Sequence, residues 1–186
     1  KNNFSQFLKE IIPVAEENNI KMALHPDDPP ISLFGLPRIV SNHEDYQFVL
    51  DQYKSNNNGI TFCTGSLASN FNNDIYKMFD HFKDKIHFIH LRNITIEKDN
   101  ISFIESDHLE GDIDFVKIIN MILIEEKKRK ENNQDYHIPM RPDHGHNLLD
   151  DKKKKLNPGY SCIGRMKGLA EIRGIIKALN NKQSQN

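Results

Sequence analysis

The feature that most constrains this 186-residue chain is a regular alternation of short apolar runs with segments of helical periodicity. Four apolar runs have the length of β-strands, and they cover residues 21–24, 59–63, 86–91 and 137–141. Between them, apolar side chains recur three and four residues apart, which is typical of helices with one buried face. Parallel neighbouring strands need a helix-length return connection, so this order predicts an α/β fold of parallel (β/α) units. Four such units make half of an eight-stranded barrel.

Several local features are also predicted from the pattern. Pro13 is expected to kink or break the first helix, and a short extended piece is expected at 101–104. A helix that starts near Ile113 should end in a charged, solvated tail at 125–134. Residues 179–186, which are polar apart from Leu179, are expected to fray after the last helix.

Composition and charge restrict the cellular compartment and the binding partners that can be expected for this protein. One domain spanning 1–186 is predicted, because 37% hydrophobic and 27% charged residues are ordinary globular usage and no linker divides the chain. A net charge of −1 supplies no positive field for nucleic acid. No apolar stretch approaches the roughly 20 residues that cross a bilayer, and two cysteines do not make a disulfide framework. We therefore expect a cytoplasmic protein without nucleic-acid or membrane partners.

Four potential metal ligands stand at or just past the ends of the apolar runs, and they are His25, Cys63, His90 and Asp143. The carboxyl ends of parallel strands lie on one edge of a sheet, so these side chains are expected to converge there. Two imidazoles, a thiolate and a carboxylate suit a divalent transition ion, with Zn, Fe, Co and Mn all admissible. A structural zinc site would show short spacings such as Cys-x-x-Cys, so ligands from four separate units favour an open catalytic site. Taken alone, Cys63 is better explained as a small buried hydrophobe, and the neighbouring histidine candidates are what favour a thiolate ligand.

A second concentration of reactive side chains follows the last apolar run, at 141–146 and 157–161. It combines a carboxylate, two imidazoles and a phenol on loops at the same predicted edge. Imidazole titrates near neutrality and a nearby cation lowers the pKa of a phenol, so both are candidates for general acid and base. Tyr160 also has a simpler interpretation, as a turn aromatic packed on Pro158.

Six short motifs occur in series along the chain. They are His-Pro-Asp-Asp-Pro-Pro at 25–30 with Gly-Leu-Pro-Arg at 35–38, Cys-Thr-Gly-Ser at 63–66, His-Leu-Arg-Asn at 90–93, Asp-His-Leu at 107–109 with Gly-Asp at 111–112, Arg-Pro-Asp-His-Gly-His at 141–146, and Asn-Pro-Gly-Tyr-Ser at 157–161 with Gly-Arg at 164–165. In this order, and over nearly the whole chain, they resemble the motifs of the mannonate dehydratase family.

The resemblance implies a metal-dependent (β/α)8 barrel, or TIM barrel, similar to the xylose isomerase group, with this chain as its C-terminal half. The implied activity is that of a lyase, a hydro-lyase that converts D-mannonate to 2-keto-3-deoxy-D-gluconate in hexuronate (glucuronate) catabolism. Matching motif by motif, four side chains would hold a Mn²⁺ ion, with Fe²⁺ or Co²⁺ as alternatives. These ligands are His25, Cys63, His90 and Asp143.

The same matching implies roles for four further residues. His144 and Tyr160 would form the acid–base pair, with either as the base. Arg92 would contact the carboxylate of the sugar acid, and His108 would line the same pocket. The full-length protein is expected to be a homo-oligomer, and the isolated half is expected to be less active or inactive.

Two alternative functions stay open from the sequence. A metal-dependent sugar isomerase or a phosphodiesterase could use a similar barrel, but such isomerases mainly use carboxylate-rich sites and a DNA-repair enzyme needs a basic groove. A non-catalytic barrel fragment is the other alternative, because half a barrel exposes two strand edges.

Overall fold

The structure is a computed structural model and describes residues 1–183. Its helices and strands, in chain order, are α1 (Asn2–Glu17), β1 (Met22–Leu24), α2 (His43–Gln52), β2 (Asn58–Cys63), α3 (Thr64–Ala68), α4 (Ile75–Phe82), β3 (Ile86–Leu91), β4 (Ile94–Ile96), β5 (Phe103–Glu105), α5 (Phe115–Glu131), β6 (Met140–Pro142) and α6 (Cys162–Gln183). Short 3-10 turns occupy Lys83–Lys85 and Leu149–Lys153.

Four strands form one sheet in the order β1-β2-β3-β6, and β4 pairs with β5 as an antiparallel hairpin. β1 and β2 are parallel, with Met22 opposite Asn58 and Leu24 opposite Ile60. The predicted α/β class with parallel strands in a sheet is thereby confirmed. The chain divides into two compact units, one of residues 1–89 and one that begins at His90, so that the division falls inside β3. A single domain over 1–186 stays a prediction.

In the first unit, apolar periodicity and helix caps explain where the helices form. α4 buries the predicted stripe Ile75, Met78, Phe79 and Phe82, and the side chain of Asp74 caps it by accepting a hydrogen bond from the backbone N–H of Lys77. Every residue of β2 is buried, as is usual for a strand covered on both faces.

The predicted break at Pro13 does not occur, because α1 continues through it to Glu17. The proline removes one backbone hydrogen bond. Burial of Leu8, Ile12 and Ala15 along one face of α1 outweighs that loss, since each turn of the helix adds apolar area to the core.

In the second unit, α5 begins directly after its N-cap residue, Asp114. The side chain of Asp114 accepts a hydrogen bond from the backbone N–H of Lys117. The expectation of a solvated tail at 125–134 is wrong in part, because Glu125 and Arg129 are buried and paired, with Nε of Arg129 donating to Oε1 of Glu125 across 3.0 Å. Charged side chains can be buried when they satisfy one another, and helical spacing of four residues brings this pair together.

The last strand is shorter than predicted, since it begins at Met140 instead of 137. The backbone N–H of Ile138 donates to Oε1 of Glu126 across 2.8 Å, and Pro139 has no N–H to donate. These residues are therefore bound by a helix side chain before the strand begins. The extended piece predicted at 101–104 is β5, which ends at Glu105, while its partner β4 was not predicted.

α6 runs to Gln183, so the predicted frayed tail at 179–186 is helical over its first five residues. The last three residues, 184–186, lie outside the described part of the chain. Within the described residues, no helix is both long enough and apolar enough to span a bilayer.

Candidate functional site

Three of the predicted metal ligands lie together. His25 directly follows β1, Cys63 is the last residue of β2, and His90 is the fifth of six residues in β3. One potential donor atom from each of the three lies within 4.8 Å of the other two. The neighbouring strands β1, β2 and β3 thus present their carboxyl-end side chains to one point, as a parallel sheet does.

The ring of His25 is oriented by the backbone of the next residue. Its Nδ1 lies 2.6 Å from the carbonyl oxygen of Pro26. A carbonyl only accepts, so Nδ1 carries the hydrogen and Nε2 carries the lone pair that a metal ion requires. The nearby carboxylate of Asp27 accepts hydrogen bonds at Oδ2 from the backbone N–H groups of Ile39 and Val40.

The thiol of Cys63 is fully buried and receives a hydrogen bond from a hydroxyl. Oγ of Ser66 lies 3.1 Å from Sγ of Cys63, one turn later in the short helix α3. A donor aimed at sulfur stabilises negative charge there, and a thiolate is the form that binds metals. The Cys-Thr-Gly-Ser motif therefore supplies both the sulfur and its hydrogen-bond donor.

Asp143 lies directly after β6 and beside His90. Its Oδ2 is 3.6 Å from Nδ1 of His90, and its Oδ1 is 2.9 Å from Nη2 of Arg141. The backbone N–H of Asp143 also donates to the carbonyl of Leu91 in β3. Asp143 does not belong to the group of three, but it adjoins the His90 side of it.

The donor set fits a divalent transition ion. Two donors on one ion each stand about 2.0–2.3 Å from it, so they lie at most about 4.6 Å apart. The upper limit of 4.8 Å in this group is close to that value, and small side-chain shifts would close the difference. Nitrogen and sulfur donors with a neighbouring carboxylate suit Mn, Fe, Co or Zn by ligand type.

The predicted acid–base residues His144 and Tyr160 are neighbours. Their rings meet edge to face with centroids 5.4 Å apart, and the loops that carry them are joined where the N–H of Gly145 donates to the carbonyl of Gly159. Nε2 of His144 lies 3.9 Å from Oδ2 of Asp143. The pair therefore adjoins the carboxylate that neighbours His90, and Tyr160 is half exposed, so a small molecule can reach it.

A carboxylate that the motifs do not include, Glu105 at the end of β5, binds both Arg92 and His144. Nε of Arg92 donates to Oε1 of Glu105 across 2.8 Å, Nη2 contacts the same oxygen, and Nδ1 of His144 lies 2.9 Å away. Burial raises the pKa of the Glu105 carboxyl, but hydrogen bonds and positive charge from His144 and Arg92 outweigh burial and leave the pKa below its ordinary value. Glu105 is therefore ionised at neutral pH.

His108 is packed inside the second unit. Its ring lies against Phe115 and against Gly168 of α6, where a Cβ would collide with the imidazole. Desolvation lowers the pKa of this imidazole, although the charge of Asp107 opposes that effect. Its Nε2 is buried and has no hydrogen-bond partner among the described residues.

Two of the cavities with the size of small-molecule sites bear on the location of the candidate site. A cavity of about 340 Å³ in the second unit is bordered by Glu105, His144, His146 and Gly159. A larger cavity of about 660 Å³ in the first unit includes Asn58, the first residue of β2. Asn58 and Cys63 are the first and last of the six residues of β2 and lie roughly 16 Å apart, so the larger cavity is at the opposite end of the strand from the donor set.

Comparison with known proteins identifies the family. The sequence profile described as D-mannonate dehydratase (UxuA) matches residues 1–186. The chain belongs to this family. Its relatives include "Mannonate dehydratase 2" of Agrobacterium fabrum, 51% identical over 180 residues, with 97% of this chain and 45% of that protein covered. The mannonate dehydratase of Saccharophagus degradans is 49% identical over 187 residues, with 100% of this chain and 47% of that protein covered.

Two solved structures are similar to this chain. The mannonate dehydratase of Streptococcus suis serotype 2 superposes with a TM-score of 0.86 at 36% identity, over 98% of this chain and 50% of that one. A D-tagatose 3-epimerase-like protein superposes with a TM-score of 0.63 at 20% identity, over 97% of this chain and 55% of that one. This is a likeness of fold alone. The chain spans about half the length of the mannonate dehydratases it matches.

Sequence reasoning missed two residues at this candidate site. Glu105 stands outside every motif, in a hairpin whose strands are three residues long, and only its contacts with Arg92 and His144 reveal it. Ser66 stands inside a motif but was given no role. Its distance of three residues from Cys63 at the start of a helix was the signal that could have found it.

Proposed function

We propose that the protein of which this chain forms part or all is a metal-dependent mannonate dehydratase, which removes water from D-mannonate to give 2-keto-3-deoxy-D-gluconate. The observation that carries the proposal is the group of His25, Cys63 and His90 donors at one sheet edge, in a chain of the mannonate dehydratase family. The relatives that are 51% and 49% identical to this chain are named mannonate dehydratases.

The finer architecture is part of the proposal. We propose that the four-stranded sheet is the C-terminal half of a TIM (β/α)8 barrel. Support comes from the TM-score of 0.86 over half of a mannonate dehydratase. The position of the donors at the carboxyl ends of the strands agrees with the place of active sites in such barrels.

We further propose that Mn²⁺ is the resident ion, with Fe²⁺ or Co²⁺ as substitutes. His25, Cys63 and His90 would hold it, and Asp143, whose carboxylate lies beside His90, would complete the set. When bound, a divalent cation stabilises negative charge that develops on the oxygens of the substrate.

The reaction demands two proton transfers. The hydrogen on the carbon next to the carboxylate is weakly acidic, and the hydroxyl on the neighbouring carbon leaves more easily once it has been protonated. Each positioned acid or base contributes roughly 10²- to 10⁴-fold. We propose His144 and Tyr160 as this pair, because their rings are in contact and the cavity of about 340 Å³ opens beside His144.

The substrate carboxylate needs a cationic partner. We propose Arg92, whose planar guanidinium can bind a carboxylate with two parallel hydrogen bonds. Glu105 engages its Nε and Nη2, which fixes the plane of the group next to the cavity that Glu105 borders. His108 is proposed to line the same region from within the second unit, where its backbone carbonyl accepts a hydrogen bond from Nδ2 of Asn93, the residue after Arg92.

For the whole protein, we propose a cytoplasmic homo-oligomer that acts in glucuronate catabolism. A sugar acid of this kind is a small anion, which a binding site with an arginine and a divalent cation would recognise.

The test is formation of 2-keto-3-deoxy-D-gluconate from D-mannonate, with and without added Mn²⁺. It is run on the 186-residue chain and on a chimera that adds the part of the Agrobacterium fabrum relative that this chain does not match. The expected result is turnover by the chimera that depends on Mn²⁺, with less or none from the chain alone. An inactive chimera that folds and binds one equivalent of Mn²⁺ would contradict the proposal.

A further inference from the structure

We propose that Glu105 is a positioning residue that holds His144 in a single tautomer, with the ring hydrogen on Nδ1 and the proton-accepting lone pair on Nε2. This inference rests on the proposed acid–base role of His144 and names the atom at which that residue acts. Glu105 acts through His144, which it contacts directly.

The hydrogen bond between the two side chains sets the tautomer. Oε1 of Glu105 lies 2.9 Å from Nδ1 of His144. An ionised carboxylate has no hydrogen to donate, so Nδ1 must carry the hydrogen that joins them. A neutral imidazole has only one ring hydrogen, and its lone pair is therefore on Nε2.

The lone pair on Nε2 faces the proposed reaction centre. Nε2 of His144 lies 3.9 Å from Oδ2 of Asp143, which itself neighbours His90. The ring of Tyr160 lies against the same imidazole. Loss of the Nδ1 hydrogen bond would let the ring carry its hydrogen on Nε2, where it could not accept a proton.

Arg92 keeps Glu105 ionised and fixed in direction. Its guanidinium is buried, with 4% exposed, and it donates from Nε and Nη2 to the same Oε1 that His144 contacts. Two donors from a rigid plane hold Oε1 in place beside Nδ1 of His144.

His146 ties the hairpin end to the loop that carries His144. Its Nε2 lies 3.1 Å from the carbonyl oxygen of Glu105, and its Nδ1 lies 3.5 Å from Oδ1 of Asp107. Asp107 in turn accepts a hydrogen bond from Nζ of Lys167 in α6 across 2.6 Å. His146 therefore holds the backbone of Glu105 at its carbonyl, and the chain just after Glu105 is held through Asp107, as suits a residue that orients another side chain.

A simpler role for Glu105 would be to neutralise the buried charge of Arg92. The two roles differ in what they control. Neutralisation affects folding and the position of Arg92, whereas positioning determines which ring nitrogen of His144 carries the hydrogen. The decisive measurement must therefore report on that nitrogen.

The experiment is ¹⁵N NMR of the 186-residue chain labelled in histidine, at a pH where the ring of His144 is neutral, with the resonances assigned by a His144→Gln variant. The wild-type spectrum should show His144 with hydrogen on Nδ1. Hydrogen on Nε2 in the wild type would overturn the proposal without any further variant.

Glu105→Gln keeps the size of the side chain and an oxygen for Arg92, but it provides a weaker, neutral acceptor. We expect its His144 signals to shift toward the tautomer with hydrogen on Nε2. The matched control is Glu97→Gln, an exposed carboxylate of the same hairpin, which should leave the spectrum unchanged. Wild-type His144 signals in a folded Glu105→Gln variant would also refute the proposal.

Kinetics on the active chimera separate the two roles further. Positioning predicts that Glu105→Gln lowers kcat roughly 10²-fold or more with KM nearly unchanged. A rise in KM with kcat unchanged would assign Glu105 to Arg92 alone and refute positioning. If the NMR result is as expected and no version turns over D-mannonate, the proposed function fails while the orientation of His144 by Glu105 stands.

Discussion

The carboxylate of Asp143 lies beside the imidazole of His90, with Oδ2 3.6 Å from Nδ1, although 53 positions in the chain separate the two residues. The contact follows from the pairing of their strands, because the N–H of Asp143 donates to the carbonyl of Leu91 in β3. Sheet order therefore brings a carboxylate to the edge of the His25, Cys63 and His90 group.

Replacing the thiol should weaken metal binding. Cys63→Ser exchanges a soft sulfur donor for a hydroxyl that is a poor ligand, so we expect the affinity for Mn²⁺ to fall at least tenfold. Titration calorimetry with elemental analysis measures the affinity and the stoichiometry. Cys162→Ser is the control, because that cysteine is exposed in α6. Full occupancy in Cys63→Ser would remove Cys63 from the ligand set.

Removing one hydroxyl should separate chemistry from metal binding. Tyr160→Phe keeps the ring that contacts His144 and deletes the proton that the phenol exchanges. In the active chimera we expect turnover to fall roughly 10²- to 10⁴-fold while bound Mn²⁺ stays normal. Tyr136→Phe serves for comparison, since Tyr136 is similarly exposed. Unchanged turnover in Tyr160→Phe would exclude that residue from the mechanism.

Removing one member of the buried Glu125–Arg129 pair in α5 should strongly lower the free energy of unfolding. Arg129→Met leaves the Glu125 carboxylate buried without the guanidinium that binds it, and we expect a loss of about 3–5 kcal/mol in the free energy of unfolding. Adding Glu125→Met should restore part of the loss, as urea unfolding would show. Lys127→Met, on an exposed position of the same helix, should change little. Equal losses in the Arg129 and Lys127 variants would refute a buried pair.

Replacing two different glycines with alanine should change the stability of the protein in opposite directions. In β2, a Cβ at Gly59 would collide with the ring of His87 and lie 2.5 Å from the carbonyl oxygen of Lys85, so Gly59→Ala should cost about 1–3 kcal/mol of stability. In α6, Gly174 has open space around it, and Gly174→Ala should add about 0.5–1 kcal/mol. Thermal unfolding compares the two, and a stabilised Gly59→Ala variant would contradict the packing.

Acid should remove the contribution that Glu105 makes to stability. The folded-state pKa of Glu105 is below its ordinary value of 4.5, so the contribution is fully present above about pH 4.5 and is lost as the pH falls through the folded-state pKa. Wild type should therefore exceed Glu105→Gln in stability at about pH 6, and the difference should shrink toward about pH 3. Urea unfolding at both values measures it, and a difference that grows in acid would mean the pKa is raised.

Much of the scaffold is predictable from local pattern. The stripe Ile75, Met78, Phe79 and Phe82 predicts α4, and the apolar runs predict β2 and β3 nearly to the residue. These elements could be found because burial of one face leaves a period of 3.6 or a continuous apolar run. Pro13 shows where a local rule fails, since the packing of α1 outweighs one lost hydrogen bond.

The sequence by itself determined the α/β class, the membership of the mannonate dehydratase family and the strand ends at which His25, Cys63 and His90 stand. Each of these follows from patterns among residues that are close together in the sequence. Only the tertiary structure decided that Glu105 binds Arg92 and His144, and that Glu125 and Arg129 are buried. The sequence does not show whether a charged side chain is exposed to water or paired with a buried partner. Its surroundings come from residues that are distant along the chain, or from a helix face whose burial the hydrophobic pattern does not reveal.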